Sequence, residues 1–197
     1  MLHRNKSGFT IVELTVVIVV TSIISIVMYT IFNTSFLNYL GLQKDSTEFN
    51  NVAQQSQRIA TVVRGLTDIT GANNSDLKFY AYFSPNDTYV SFVHYYVSGP
   101  KPSLLAEVTP MDANPPTGNL LTAKKRDYTV IEDLGQTPTN LFEFLDAAGT
   151  KLTLPISDLY TIKGITVNLS QDLGGSTPGN IYKSSLSVSL RNRKTNL

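Results

Sequence analysis

The 197-residue sequence contains no cysteine and no tryptophan, and only 16% of its residues are charged. Without cysteine there is no disulfide framework, no thiolate metal site and no cysteine nucleophile. The charge fraction is well below the roughly 25% of ordinary soluble domains. Sixteen basic residues against fifteen acidic give a formal charge of +1, and a dedicated nucleic-acid binder shows a larger basic excess. Only two histidines occur, His3 and His94. His94 stands alone on an aromatic strand pattern, and the acids Glu132, Asp133, Asp146 and Asp172 are scattered over strands and turns. Metal-binding and acid–base enzyme chemistry therefore have no cluster to work from, and no phosphate-cradling glycine pattern occurs. Proline is absent before Pro85, so nothing in the first 84 residues breaks a helix by proline's missing N–H.

What is present is one long apolar run. Phe9 to Phe32 is 24 residues with a single charge, Glu13. As a helix it spans roughly 36 Å, more than a bilayer core of about 30 Å. Arg4 and Lys6 precede it without an acid, which places that flank on the cytoplasmic side. A secretory signal peptide has a shorter apolar stretch and a small-residue cleavage site after it; Asn33-Thr34-Ser35-Phe36 is no such site. The run reads as an anchor with its N-terminus inside. Glu13 is its anomaly, since a carboxylate within an apolar segment is expensive and calls for a partner.

Lys6-Ser7-Gly8-Phe9-Thr10-Ile11-Val12-Glu13-Leu14, followed by the unbroken apolar run, resembles the prepilin signature of type IV pilins, secretion pseudopilins and competence pseudopilins. The strong match covers Lys6 to about Phe32. The resemblance implies a structural subunit, not an enzyme, without cofactor or metal. It implies cleavage by prepilin peptidase between Gly8 and Phe9, N-methylation of Phe9, and pairing of Glu13 with the new amine of a neighbouring subunit. It also implies other pilin subunits, an inner-membrane assembly platform and the lipid bilayer as partners, and passage from the inner membrane to a cell-surface filament. The charge logic is sound: a buried carboxylate and ammonium are each costly alone, and removing one strands the other at about 3–5 kcal/mol. Glycine at position 8 leaves the backbone open to a protease. The closing Ser187 to Asn192 segment and the Phe142 to Leu154 and Leu159 to Leu169 stretches resemble minor, J-type-like subunits. Glu13 argues against the initiating K-type subunit, which commonly lacks it. Many major pilins carry proline in this helix; here the helix need not kink by that mechanism, Gly41 is the one candidate weak point before Gly65, and if the helix melts locally in a filament it is expected to do so near Ser35 to Gly41.

Downstream, Leu42, Phe49, Val52, Ala53, Ile59, Ala60, Val63 and Leu66 recur at helical spacing, with Lys44, Asp45, Glu48 and Arg58 on the other face. One helix from Phe9 to about Arg64 is expected. The implied organisation is leader 1–8, membrane and assembly helix 9–32, amphipathic half 33–66 and a β-rich domain 67–197. From Leu77 the period becomes two. Leu77 to Phe83 and Tyr89 to Ser98 form a hairpin around Ser84-Pro85-Asn86-Asp87. Gly99 to Gly118, with five prolines, reads as a surface loop or excursion. Strands are expected at Tyr128–Asp133, Asn140–Asp146, Lys151–Leu154, Gly164–Ser170 and Ser184–Arg191, with turns at Asp146–Thr150 and Gln171–Asn180. Their one-sided alternation predicts an antiparallel sheet covered on one face by the helix, an α+β layout that is also the pilin architecture. An alternative use of the domain is DNA uptake or adhesion, through Tyr80, Tyr82 and Tyr96 as stacking rings or through Lys124, Lys125 and Arg126. A membrane-anchored surface protein that does not assemble is the other alternative.

Overall fold

The computed structural model describes residues 10–135, 140–172 and 181–190. The chain divides into two compact units at Thr47/Glu48.

Helix α1 runs Ile11–Arg64, and Thr10 stands immediately before it as its cap. In the first unit its apolar side chains are exposed, among them Ile18, Ile24, Ile31 and Phe32, and it is long and apolar enough to cross a membrane. The hydroxyls within the run are satisfied locally. Thr15, Thr21, Ser22, Ser25 and Thr30 each donate to the carbonyl four residues back, at 2.7–2.8 Å. Such back-bonding suits a segment where no water reaches the chain. The helix is uninterrupted between Ser35 and Gly41.

In the second unit, the remainder of α1 buries Val52, Ser56, Ile59, Ala60, Val62 and Val63. The expected stripe is thus corrected at its start. Leu42 is exposed, Phe49 is half-exposed and meets the edge of Tyr182 at 5.8 Å, and close packing begins at Val52. Each fully buried aliphatic here contributes about 1.5–3 kcal/mol. Gly65 and Leu66 close the last turn through N–H donation to the Val62 and Val63 carbonyls.

Two antiparallel sheets follow instead of the single one expected. The first is a meander of β1 (Asp68–Asn73), β2 (Asp76–Ala81), β3 (Ser91–Ser98), β4 (Ser103–Pro110) and β5 (Arg126–Ile131), in that order. The second comprises β6 (Phe142–Leu145), β7 (Gly164–Asp172) and β8 (Ile181–Ser189). They meet where the Phe142 N–H donates to the Asn74 carbonyl at 2.8 Å. One core joins them to the helix: Leu77, Phe79 and Tyr95 from the first sheet, Phe142, Phe144, Ile165 and Val167 from the second.

The β2–β3 hairpin pairs as the alternation requires, with Leu77, Phe79, Val93 and Tyr95 buried and Tyr80, Phe92, His94 and Tyr96 on the other face. Of the residues whose alternation places them toward the helix, Ile165, Val167, Leu169, Val188 and Leu190 are buried and Leu186 is only partly so; on the reverse side Thr166 donates to Ser187 and Ser185 donates to Asn168. The turn at Asp146–Thr150 closes through the Asp146 carboxylate and Gly149 at φ +80°, a left-handed conformation that glycine adopts without strain.

Three further expectations are corrected. Within Gly99–Gly118, Ser103–Pro110 is β4, an interior strand. Leu104, Ala106 and Val108 alternate into the core, and Pro102 and Pro110 only bound it, where a missing N–H costs little. Lys151–Leu154 is no strand. A bridge between Leu145 and Lys151 and one bond from the Leu152 N–H to the Phe144 carbonyl are all that forms. Pro155 has no N–H to extend the ladder, and Leu152, Leu154 and Ile156 pack on the core from an irregular segment. The Gln171–Asn180 turn begins later, since Gln171 and Asp172 belong to β7; residues 173–180 lie outside the described residues.

Tyr95 is fully buried, 5.9 Å from the Phe79 ring and 6.3 Å from Phe142. Burial pushes its phenol well above the usual range, opposed in part by the Arg58 charge. The unfolded phenol ionises near pH 10 while the folded one keeps its proton. This contribution is therefore constant below about pH 10 and falls above it, by about 1.4 kcal/mol per pH unit. Denaturant unfolding between pH 9 and 11 is expected to show a shallower alkaline decline for Tyr95→Phe than for the parent chain.

Candidate functional site

The N-terminal segment is built around a reciprocal cap. The Glu13 N–H donates to Thr10 Oγ1 at 3.3 Å, and the Thr10 N–H donates to Glu13 Oε2 at 3.0 Å. The Thr10 hydroxyl also donates to the same carboxylate oxygen, at 3.1 Å. This is a capping box, and the Thr10 carbonyl accepts the first intrahelical bond from the Leu14 N–H at 3.1 Å. Threonine, two aliphatics and glutamate ahead of an apolar run is the sequence signal for it, a role additional to the charge pairing that the resemblance implies. The helix dipole adds a favourable field for the Glu13 carboxylate in the first turn. Helix geometry thus begins next to the position at which the leader is expected to end. Gly8 and Phe9, the expected processing residues, lie outside the described residues; Phe32, the far end of the expected membrane span, is exposed on α1 and stacks on Phe36 at 6.2 Å.

The residues of the alternative surface reading are dispersed. Tyr80 and Tyr96 share the outer face of the first sheet. Tyr80 meets the edge of Phe92 at 5.5 Å, and Tyr96 lies 4.7 Å from His94. Tyr82 lies beyond β2, at the rim of a cleft of about 480 Å³ beneath the Met111–Leu121 excursion, where its hydroxyl accepts from Asn114 at 3.3 Å. That excursion approaches itself closely at Gly118, where a Cβ would lie 1.8 Å from the Ala113 carbonyl oxygen. Lys124 ends a short 3-10 turn, Thr122–Lys124. Lys125 is bound to Glu107 at 2.6 Å, and that hydrogen bond holds its ammonium above the ordinary lysine range. Arg126 pairs in register with Val108 and so belongs to the helix side of the sheet, away from Lys125. On the outer face Asp76 answers both His94, at 2.6 Å, and Lys78, at 3.8 Å. The aromatics and the basic run therefore do not form one cationic groove, and the acids among them oppose a phosphate backbone. No group of three or more metal-ligating side chains occurs among the described residues.

No curated protein sequence matches the chain. Residues 3–29 match the family model described as the prokaryotic N-terminal methylation motif. That match frames the capped start of α1 and most of the apolar run, and it supports a type IV pilin-like precursor. One long N-terminal helix followed by antiparallel sheets is an α+β layout consistent with the pilin fold.

Proposed function

We propose that the chain is a structural subunit, a minor pilin or pseudopilin, of a type IV pilus-like filament. It is made as a cytoplasmic-membrane precursor with its N-terminus inside, cut after Gly8 by prepilin peptidase, methylated at Phe9 and assembled through its N-terminal helix with other subunits on a membrane platform. The observation that carries this reading is the methylation motif at residues 3–29, set directly against a capped helix of membrane-spanning length. Removing Arg4 and Lys6 with the leader leaves 14 of the 16 basic side chains against 15 acidic, and cleavage creates one new amine at Phe9. Glu13 is the acid proposed to meet it. Moving the apolar run from lipid into a bundle of like helices gains little hydrophobic energy, so close packing and this charge pair set the register.

The test is the intact mass of the chain purified from membranes of a host that expresses prepilin peptidase. The expected mass is that of a chain beginning at N-methylated Phe9. A mature form that retains residues 1–8 overturns the proposal and favours a membrane-anchored protein that does not assemble.

A further inference from the structure

One cleft in the second unit is not used by the assembly segment. It has a volume of about 420 Å³, with Arg58, Phe83, Ser91, Pro110, Arg126 and Tyr128 in its wall. Its aromatic side is layered. The Arg58 guanidinium sits 5.1 Å above the Phe83 ring, and Phe83 stacks on Tyr128 at 5.3 Å. Arg126 is exposed at the start of β5. No ion pair among the described residues involves Arg58 or Arg126. The one acid lining the cleft, Asp87, accepts the Ser84 N–H at 2.8 Å. Two arginines thus line one concavity together with Val108 and Pro110. Arginine's planar fork matches a carboxylate with two parallel bonds.

The position of the cleft restricts what enters it. Arg126 and Tyr128 lie on β5, the last strand of its sheet, and among the described residues no strand pairs with its other side. An edge strand offers a row of backbone donors and acceptors to an incoming extended chain. We infer that this edge docks an extended acidic peptide segment of a partner protein, which adds as a strand beside β5 and places a glutamate or aspartate side chain between Arg58 and Arg126. Main-chain bonds to β5 supply affinity, and the arginine-lined cleft selects the acid. A free anion engages only the arginines, and a neutral strand only the edge.

The experiment uses the full chain in detergent micelles and a fluorescein-labelled hexapeptide, Thr-Val-Glu-Val-Thr-Val, read by anisotropy. Saturable binding is expected, weakened at least about tenfold when the peptide glutamate is replaced by glutamine and to a similar extent in Arg126→Gln. The peptide exchange leaves the protein unaltered, so it decides the matter even where Arg126→Gln shifts the melting transition. Absence of saturable binding, equal binding of the glutamine peptide, or displacement of the peptide by an equal concentration of inorganic phosphate overturns the inference. In those cases Arg126 is an edge-protecting charge or part of a general anion cleft.

Discussion

Glu13→Ala is expected to leave leader removal intact while abolishing incorporation of the subunit into filaments, measured as the ratio of filament-bound to membrane-bound mature chain. The proposed cleavage site, Gly8–Phe9, lies ahead of Glu13, and the substitution leaves the apolar run unchanged. The proposed assembly is different, because it would bring each new N-terminal amine into a bundle of apolar helices, where an unanswered charge is strongly unfavourable. The reciprocal cap offers a second explanation for such a defect, since Glu13 also accepts the Thr10 N–H. Glu13→Gln separates the two. It keeps a side-chain oxygen that can accept the Thr10 N–H and hydroxyl but removes the charge. Failure of Glu13→Gln beside failure of Glu13→Ala assigns the effect to charge pairing; near-normal incorporation of Glu13→Gln assigns it to the helix start.

Phe142→Ala is expected to destabilise the β-rich unit by about 3–5 kcal/mol, read from the denaturant midpoint of the full chain in micelles. Phe142 is fully buried, its ring lies 6.3 Å from Tyr95 of the other sheet, and its backbone N–H bonds to the carbonyl of Asn74 in the β1–β2 turn. The side chain therefore fills the seam between the two sheets, where neither can move in without breaking its own ladder. Relaxation is small and most of the cavity remains, the condition for the upper part of that range. Phe142→Leu keeps most of the volume and is expected to cost less than half as much. Similar losses for the two variants would show that the seam is loosely packed.

Different parts of the molecule were legible to different degrees. The helix, the β2–β3 hairpin and the β7–β8 pair carry their own periodicity, and each appears in the structure within a few residues of expectation. Strand β4 was hidden because prolines surround it. Their chemistry dominates a local reading, although Leu104, Ala106 and Val108 alternate cleanly inside them. Strand β1 was missed because only Ile69 is buried, and Gly71 sits beside an irregularity in its register with β2. The capping box was readable from Thr10-x-x-Glu13 alone. The cleft was not, because Arg58, Phe83 and Arg126 come from a helix, a loop and an edge strand.

By itself the sequence determined the methylation motif, the membrane-length apolar helix and the α+β character of the remainder. These depend on covalent neighbours and local periodicity, which a peptidase, a bilayer and a forming helix all read without distant contacts. Tertiary structure alone decided that the strands divide into two sheets, that Phe142 closes their seam, and that Lys125 and Arg126 fall on opposite faces. Those outcomes depend on long-range register, where a shift of one residue reverses every side chain. The basic run that looked continuous in sequence is thereby split, with Lys125 neutralised by Glu107 and Arg126 left facing the cleft with Arg58.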